Sequence, residues 1–512
     1  MAHLGSRRRR VLALPAGLAL TASLGFLPGA TATAAPAVPA ASAPVVTDGP
    51  KLSYVVNTHG GRSTLKSVEK AIGRAGGTVV TSYDRIGVIV ASSQNPDFAK
   101  SVRKVRGVDS AGATRTAPLP AQSTTDEGAP RALTSAELAS ATSDKTAAQD
   151  PLEPLQWDLP AIKADKAHEK TLGSRKVTVA VIDTGVDDTH PDLAPNFDRA
   201  ASVNCVTGKP DTTDGAWRPN AGESPHGTHV AGEIAAAKNG IGMTGVAPGV
   251  KVAGIKVSTP AGFFYTEAVV CGFVWAADHG VDVTNNSYYT DPWYFNCKND
   301  PDQRALVDAI TRATKYAESK GTVNVAAAGN EAYDLATDSI TDSSSPNDTT
   351  PGDRVIDPSE CLDIPTQLPG VVTVAATGAK AGKSSFSNYG LGIIDIAAPG
   401  GDRYQVPNAP ATSGSILGTL PGGSWGYMSG TSMASPHVAG VAALLKSTYP
   451  HASAAVIKSL LLAQADDTAC PAAYDYNNDG TIDATCTGSK RYNSFYGAGL
   501  TNALDAVSRF KH

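Results

Sequence analysis

The sequence predicts an α/β fold with a mainly parallel central sheet, preceded by a small α+β module. Three observations carry this. Beyond residue 151, short β-branched runs alternate with helical patterns. Several of those runs are apolar at consecutive positions, as strands covered on both faces are. Ahead of them, between residue 51 and about residue 112, a β-α-β-β-α-β order is legible.

The chain opens with Arg7 to Arg10, an apolar stretch from Val11 to Leu27 and the small residues Ala30 to Ala34. Charge, a short apolar middle and a small-residue cleavage site describe an export signal over residues 1–35. Pro15 interrupts the stretch and Pro28 ends it, which disfavours a membrane anchor. Ala, Pro, Val and Ser then dominate to residue 50.

In the module, Leu52 to Val56 reads as a strand, and Leu65, Val68 and Ile72 recur at helical spacing before Gly76-Gly77. Thr78 to Ser82 and Gly87 to Ser92 read as strands. A second helix opens at Asn95-Pro96 and carries Phe98, Val102 and Val105, with a last strand from Val108. At roughly 65 residues this unit is small for an independent core. Residues 113–150, rich in Ala, Ser, Thr and Pro, read as an aperiodic linker containing a processing site.

The main domain, residues 151–512, carries strand patterns at Val177 to Ile182, Val250 to Ile255, Val281 to Thr284, Thr322 to Val325 and Val371 to Val374. Helical patterns such as Ala305 to Glu318 separate several of them. Ligands and reacting groups of such sheets gather at the carboxyl ends of strands.

Three segments bear chemistry there, in the order Asp, His, Ser. Val179-Ala-Val-Ile-Asp183-Thr-Gly-Val186 ends a buried strand in a carboxylate. His226-Gly-Thr-His229-Val-Ala-Gly232 begins a helix with an imidazole able to act as general base and then acid. Gly430-Thr-Ser432-Met-Ala-Ser-Pro-His437 puts a hydroxyl at a helix start, where backbone N–H groups and a positive dipole end collect. A fourth segment, Val325-Ala-Ala-Ala-Gly-Asn330-Glu331, ends a strand in an amide donor suited to an oxyanion. Taken singly, Asp183 could cap a turn and Ser432 could cap a helix. His190, His229 and His437 read as packing, turn or hydrogen-bonded structural residues.

These four segments, with Gly245-Val-Ala-Pro248, resemble those of the subtilisin-like serine peptidases (subtilases, family S8) across roughly residues 155–510. The resemblance implies a three-layer subtilisin-like arrangement, with Asp183, His226 and Ser432 as triad and Asn330 assisting the oxyanion. It implies that residues 51–112 are a ferredoxin-like inhibitory propeptide, removed autocatalytically. Substrate is expected to pair as a strand between Gly262-Phe263-Phe264 and Ser287-Tyr288-Tyr289, with Ala327 to Gly329 along the specificity pocket. Tyr289 and Thr290 stand where the family often has small residues; they either narrow that pocket or point outward and cover the groove. Kexin-like relatives tend to carry Asp after the triad carboxylate. Thr184 stands there, which disfavours basic-pair specificity.

Six cysteines in an exported chain favour disulfides, although spacing alone allows 15 pairings. The resembled fold implies Cys205–Cys271 and Cys297–Cys361. Asp475, Asn477, Asp479, Thr481 and Asp483 sit at most of the ligand places of a calcium loop, so structural calcium is one expectation. The other is an Asn-Asp-Gly turn closed by Cys470–Cys486. The chemistry itself requires no cofactor.

With 18% charged residues and a net charge of -5, nothing favours nucleic acid or an anionic membrane as partner. The expectation is a secreted, monomeric serine endopeptidase acting on proteins or peptides and inhibited by its own propeptide. The alternative is a catalytically silent secreted binding protein on the same fold.

Overall fold

The computed structural model describes residues 49–118, 130–143 and 149–508. The expected export signal lies outside the described residues. No helix among those described is long and apolar enough to cross a membrane.

Seven parallel strands form the central sheet, in the spatial order Ile396–Pro399, Val372–Thr377, Val323–Ala327, Val283–Asn286, Thr178–Asp183, Lys251–Lys256 and Val203–Asn204. Every residue of the Thr178–Asp183 strand is buried, as continuous apolar patterning requires of a central parallel strand. Asp183 ends that strand opposite Lys256. The predicted strands form with edges moved by one to three residues; the run at Val281 becomes Val283–Asn286.

Two cores cover the faces of the sheet. On one side, helices His226–Ala235 and Thr431–Thr448 pack over Val179, Val181, Val325 and Val374. On the other, Thr266–Asp278 and Pro301–Ser319 pack over Ala180, Ile182 and Ile255. This is a three-layer α/β architecture. All three disulfides named from the sequence form: Cys205–Cys271, Cys297–Cys361 and Cys470–Cys486.

The N-terminal module has the predicted order. Strands Leu52–Thr58, Gly77–Tyr83, Val88–Ser93 and Val108–Ala113 form one antiparallel sheet, joined by helices Arg62–Arg74 and Phe98–Val102. Strand alternation divides Leu52–Thr58 between two tasks. Tyr54 and Val56 enter the module's own core with Ile72 and Phe98. Val55 faces the opposite way and joins the core beneath helices Thr266–Asp278 and Pro301–Ser319.

Polar contacts align that docking. Asn57 Nδ2 donates to the Ala305 carbonyl at 2.8 Å, and Ser110 Oγ to Asp308 Oδ2 at 2.6 Å. Arg312 donates to the Thr58 carbonyl at 2.8 Å and to Asp109 Oδ2 at 2.7 Å. At Gly112 an added Cβ would lie 2.3 Å from the Asp302 carbonyl oxygen, so glycine permits the close approach.

Residues 113–150, read as an aperiodic linker, carry regular structure and correct that reading. Arg131–Ala132 is a strand pairing with Ser424–Met428, with Ala132 opposite Gly426. Helix Ser135–Ser143 follows. Its start is a capping box: Thr134 N–H donates to Glu137 Oε2 at 2.8 Å, and Glu137 N–H to Thr134 Oγ1 at 3.2 Å. Leu133 packs beside Leu152, Met243 and Leu417. An edge strand from elsewhere in the chain supplies the partners that local periodicity could not announce. Within this linker, where a processing site was expected, residues 119–129 and 144–148 lie outside the described residues.

Candidate active site

Asp183 and His226 meet at the carboxyl end of the sheet. Asp183 Oδ1 accepts from Thr184 N–H at 2.7 Å and lies 2.9 Å from His226 Nδ1. Both side chains are buried, which fixes the imidazole's orientation and strengthens the bond. Gly227 makes the approach possible: a Cβ there would lie 2.5 Å from the Gly185 carbonyl oxygen and 3.1 Å from Asp183 Cβ. Thr184 Oγ1 accepts from Gly227 N–H at 2.9 Å and pins the helix start to the strand end.

Ser432 is the second residue of helix Thr431–Thr448. Pro436 lies inside this helix and has no N–H for the carbonyl of Ser432. Ser287 fills that gap, donating from Oγ to the Ser432 carbonyl at 2.9 Å. Ser432 Oγ donates in return to the Ser287 carbonyl at 3.3 Å.

Asn330 adjoins the same helix start. Its Oδ1 accepts from Thr431 N–H at 2.8 Å and Thr431 Oγ1 at 2.9 Å. The amide oxygen is thereby occupied, so Nδ2 is the donor it presents. A Cβ placed on Gly430 would lie 3.5 Å from both Asn330 Nδ2 and the Ser432 nitrogen, so these two donors flank one small volume. In the first helical turn, Ser432 N–H has no carbonyl one turn behind it to bind.

A buried polar cluster supports this from behind, and the sequence reading missed half of it. His229 Nδ1 lies 2.7 Å from Glu233 Oε1, and His229 Nε2 lies 3.2 Å from the Gly426 carbonyl. His437 contacts the Met433 carbonyl at 2.7 Å and Asp158 Oδ2 at 3.0 Å. Burial pushes His229 down to about 3 and holds Glu233 well above the usual carboxylate range, with Asp158 adding repulsion. The pair is therefore neutral, with Glu233 donating to His229 Nδ1 and His229 Nε2–H donating to Gly426. Helical spacing from His229 to Glu233 was the available signal. His190 also serves structure, 2.9 Å from the Ser424 carbonyl.

The residues expected to bind substrate divide. Ser287 joins Ser432 as described, and Ala327 and Gly329 line the adjacent strand end. Thr366 Oγ1 donates to the Ala327 carbonyl at 2.9 Å, and Gly329 N–H to Thr431 Oγ1 at 3.0 Å. Gly262 to Phe264 do not offer the free edge expected. Phe263 N–H donates to Thr259 Oγ1, and its carbonyl accepts from Thr259 N–H at 2.9 Å. Phe264 N–H donates to Asp291, and its carbonyl accepts from Asp291 N–H at 3.0 Å. Their N–H groups are engaged internally, because the segment folds into a turn closed at Gly262 (φ 92°). Tyr288 stacks on Phe264 with ring centroids 4.6 Å apart, and Tyr289 packs on Tyr294 at 4.7 Å. Thr290 is buried. Tyr288 is buried as well, and Tyr289 is partly buried.

The Asp475–Asp483 loop forms a hydrogen-bonded turn. Gly480 N–H donates to Asp475 Oδ2 at 2.8 Å, Asp479 N–H to Asn477 Oδ1 at 3.1 Å and Thr481 N–H to Asp479 Oδ1 at 2.8 Å. Asp483 Oδ2 accepts from Tyr476 N–H at 2.9 Å. The twelfth place, Cys486, is held in the disulfide. Among the described residues no group of three or more His, Cys, Asp or Glu is arranged to hold a metal ion.

Fold and site together place this chain among the serine peptidases. It belongs to the Subtilase family, whose model matches residues 174–499. Subtilisin Savinase from Lederbergia lenta is 32% identical over 351 residues, covering 69% of this chain and 98% of the relative. M-protease from Shouchella clausii (strain KSM-K16) is 33% identical over 305 residues, 60% of this chain and 63% of the relative. Among solved structures, the epidermin leader peptide processing serine protease from Staphylococcus aureus has the same fold. It has a TM-score of 0.63 at 24% identity and covers 90% of this chain and 99% of that one.

Proposed function

We propose that the chain is a secreted, monomeric serine endopeptidase, made as a self-inhibited precursor that cuts itself. The buried 2.9 Å contact between Asp183 and His226 carries the reading, with Ser432 and Asn330 at the neighbouring helix start. Ser432 Oγ attacks the scissile carbonyl while His226 Nε2 takes its proton. Asp183 holds the Nδ1–H tautomer and stabilises the imidazolium. Negative charge developing on the carbonyl oxygen is met by Asn330 Nδ2 and Ser432 N–H. His226 then protonates the leaving amine, and water hydrolyses the acyl-enzyme by the same route. No step uses a cofactor.

Disulfides support export to an oxidising compartment. Self-inhibition is supported by the N-terminal module, which docks on helices Thr266–Asp278 and Pro301–Ser319 and sends residues 114–118 toward Tyr265. Expression of wild-type and Ser432→Ala precursors tests both halves. The wild type is expected to shorten to a product lacking the module, and the variant to stay full-length. Equal processing of both in a purified system would overturn self-cleavage by Ser432.

A further inference from the structure

Arg115 follows the last strand of the N-terminal module and enters a pocket of the main domain. Its guanidinium pairs with Glu267 and lies over the Tyr265 ring, with Cζ 3.9 Å from the centroid. The paired side chains are 11% and 3% exposed. The following residues are held by the same surface. Thr116 N–H donates to Asp348 Oδ2 at 2.7 Å, and Thr116 Oγ1 bonds Asp348 Oδ1. A short peptide thus lies on the main domain with its arginine mostly covered.

A continuous wall joins this pocket to Ser432. Ser432 Oγ touches the Ser287 carbonyl, Tyr288 next to it stacks on Phe264, and Tyr265 follows and bridges to Asp291. Removing the module would leave the pocket open and acidic. Glu267 Oε2 is buried without a hydrogen-bond partner, and Arg115 is the cation paired with Glu267 among the described residues. Asp348 and Asp291 add negative charge around Tyr265, against Arg115 alone. A buried carboxylate without a counter-ion is unfavourable, and an aromatic face beside it favours a planar cation.

We propose that this pocket, once vacated by Arg115, binds an arginine side chain of the substrate upstream of the scissile bond, and so selects substrates carrying one. The proposal rests on the peptidase reading. It differs from basic-pair recognition, because Tyr265 and Glu267 are separated from Ser432 by the Ser287–Tyr288–Phe264 wall. Lysine should serve less well, since an ammonium cannot both stack flat on Tyr265 and fork onto Glu267.

The test uses the processed enzyme and fluorogenic peptides identical except for Arg, Lys, citrulline or Leu at each upstream position in turn. Citrulline keeps the shape and removes the charge. At one position, arginine is expected to exceed citrulline in kcat/KM by at least about tenfold. In Glu267→Gln that ratio should fall toward one. Equal cleavage of Arg and citrulline peptides at every upstream position by the wild type would overturn the pocket while leaving the peptidase reading intact. Cleavage of no peptide at all would overturn both. The wild-type comparison stands even if Glu267→Gln fails to fold.

Discussion

Ser287 and Ser432 are bonded reciprocally: Ser287 Oγ caps the Ser432 carbonyl at 2.9 Å, and Ser432 Oγ reaches the Ser287 carbonyl at 3.3 Å. The first bond replaces the helical donor that Pro436 lacks. Ser287→Ala leaves that carbonyl without its side-chain donor and loosens the start of the serine helix. It should destabilise the enzyme by about 1–3 kcal/mol and lower kcat more than it changes KM. Denaturant unfolding with steady-state kinetics measures both, and unchanged values would mean the cap positions nothing.

Asn330 is turned by Thr431 so that Nδ2 is its presented donor. Asn330→Ala should reduce kcat by roughly 10²–10³, the loss established for the corresponding donor of subtilisin itself, with little change in KM. An equal rise in KM instead would assign Asn330 to ground-state binding.

Glu233 gives a signed pH prediction. Its folded pKa lies above the ordinary value, so the folded state holds a proton that the unfolded state releases above about 4.5. Stability is therefore lost as pH rises above that value, and Glu233→Gln removes the loss. The variant should match or exceed wild-type stability at pH 7, with an advantage that grows as pH rises above about 4.5. Were the pair ionised, the same change would cost about 3–5 kcal/mol at neutral pH. His229 acts in the other direction on the acid side. Its folded pKa of about 3 means that stability is lost as pH falls from about 6.5 toward 3.

For the Asp475–Asp483 loop, backbone N–H groups already occupy the side-chain oxygens and a disulfide occupies the twelfth place. Chelator treatment followed by thermal unfolding in calcium titrations should move Tm only slightly at this loop. Loss of a calcium-dependent Tm rise on Asp475→Ala would show instead that the loop binds the ion.

Much of the fold was legible because burial on both faces writes itself as uninterrupted β-branched runs, as at Val179 to Ile182. The approach of Asp183 to His226 was legible because their segments carry glycine beside them, as Gly227 shows against Asp183. What escaped depends on distant partners. Arg131–Ala132 is a strand because Ser424–Met428 presents an edge to it. The N–H groups of Phe263 and Phe264 are unavailable because Thr259 and Asp291 fold back onto them. The donor that Pro436 lacks comes from Ser287, a serine on another segment.

The most direct measurement is labelling of the processed protein with a fluorophosphonate, followed by peptide mass spectrometry. The account predicts about one adduct per molecule, on Ser432, and its loss in His226→Ala. An unlabelled protein that still cleaves peptides, or an adduct on another residue, would contradict it.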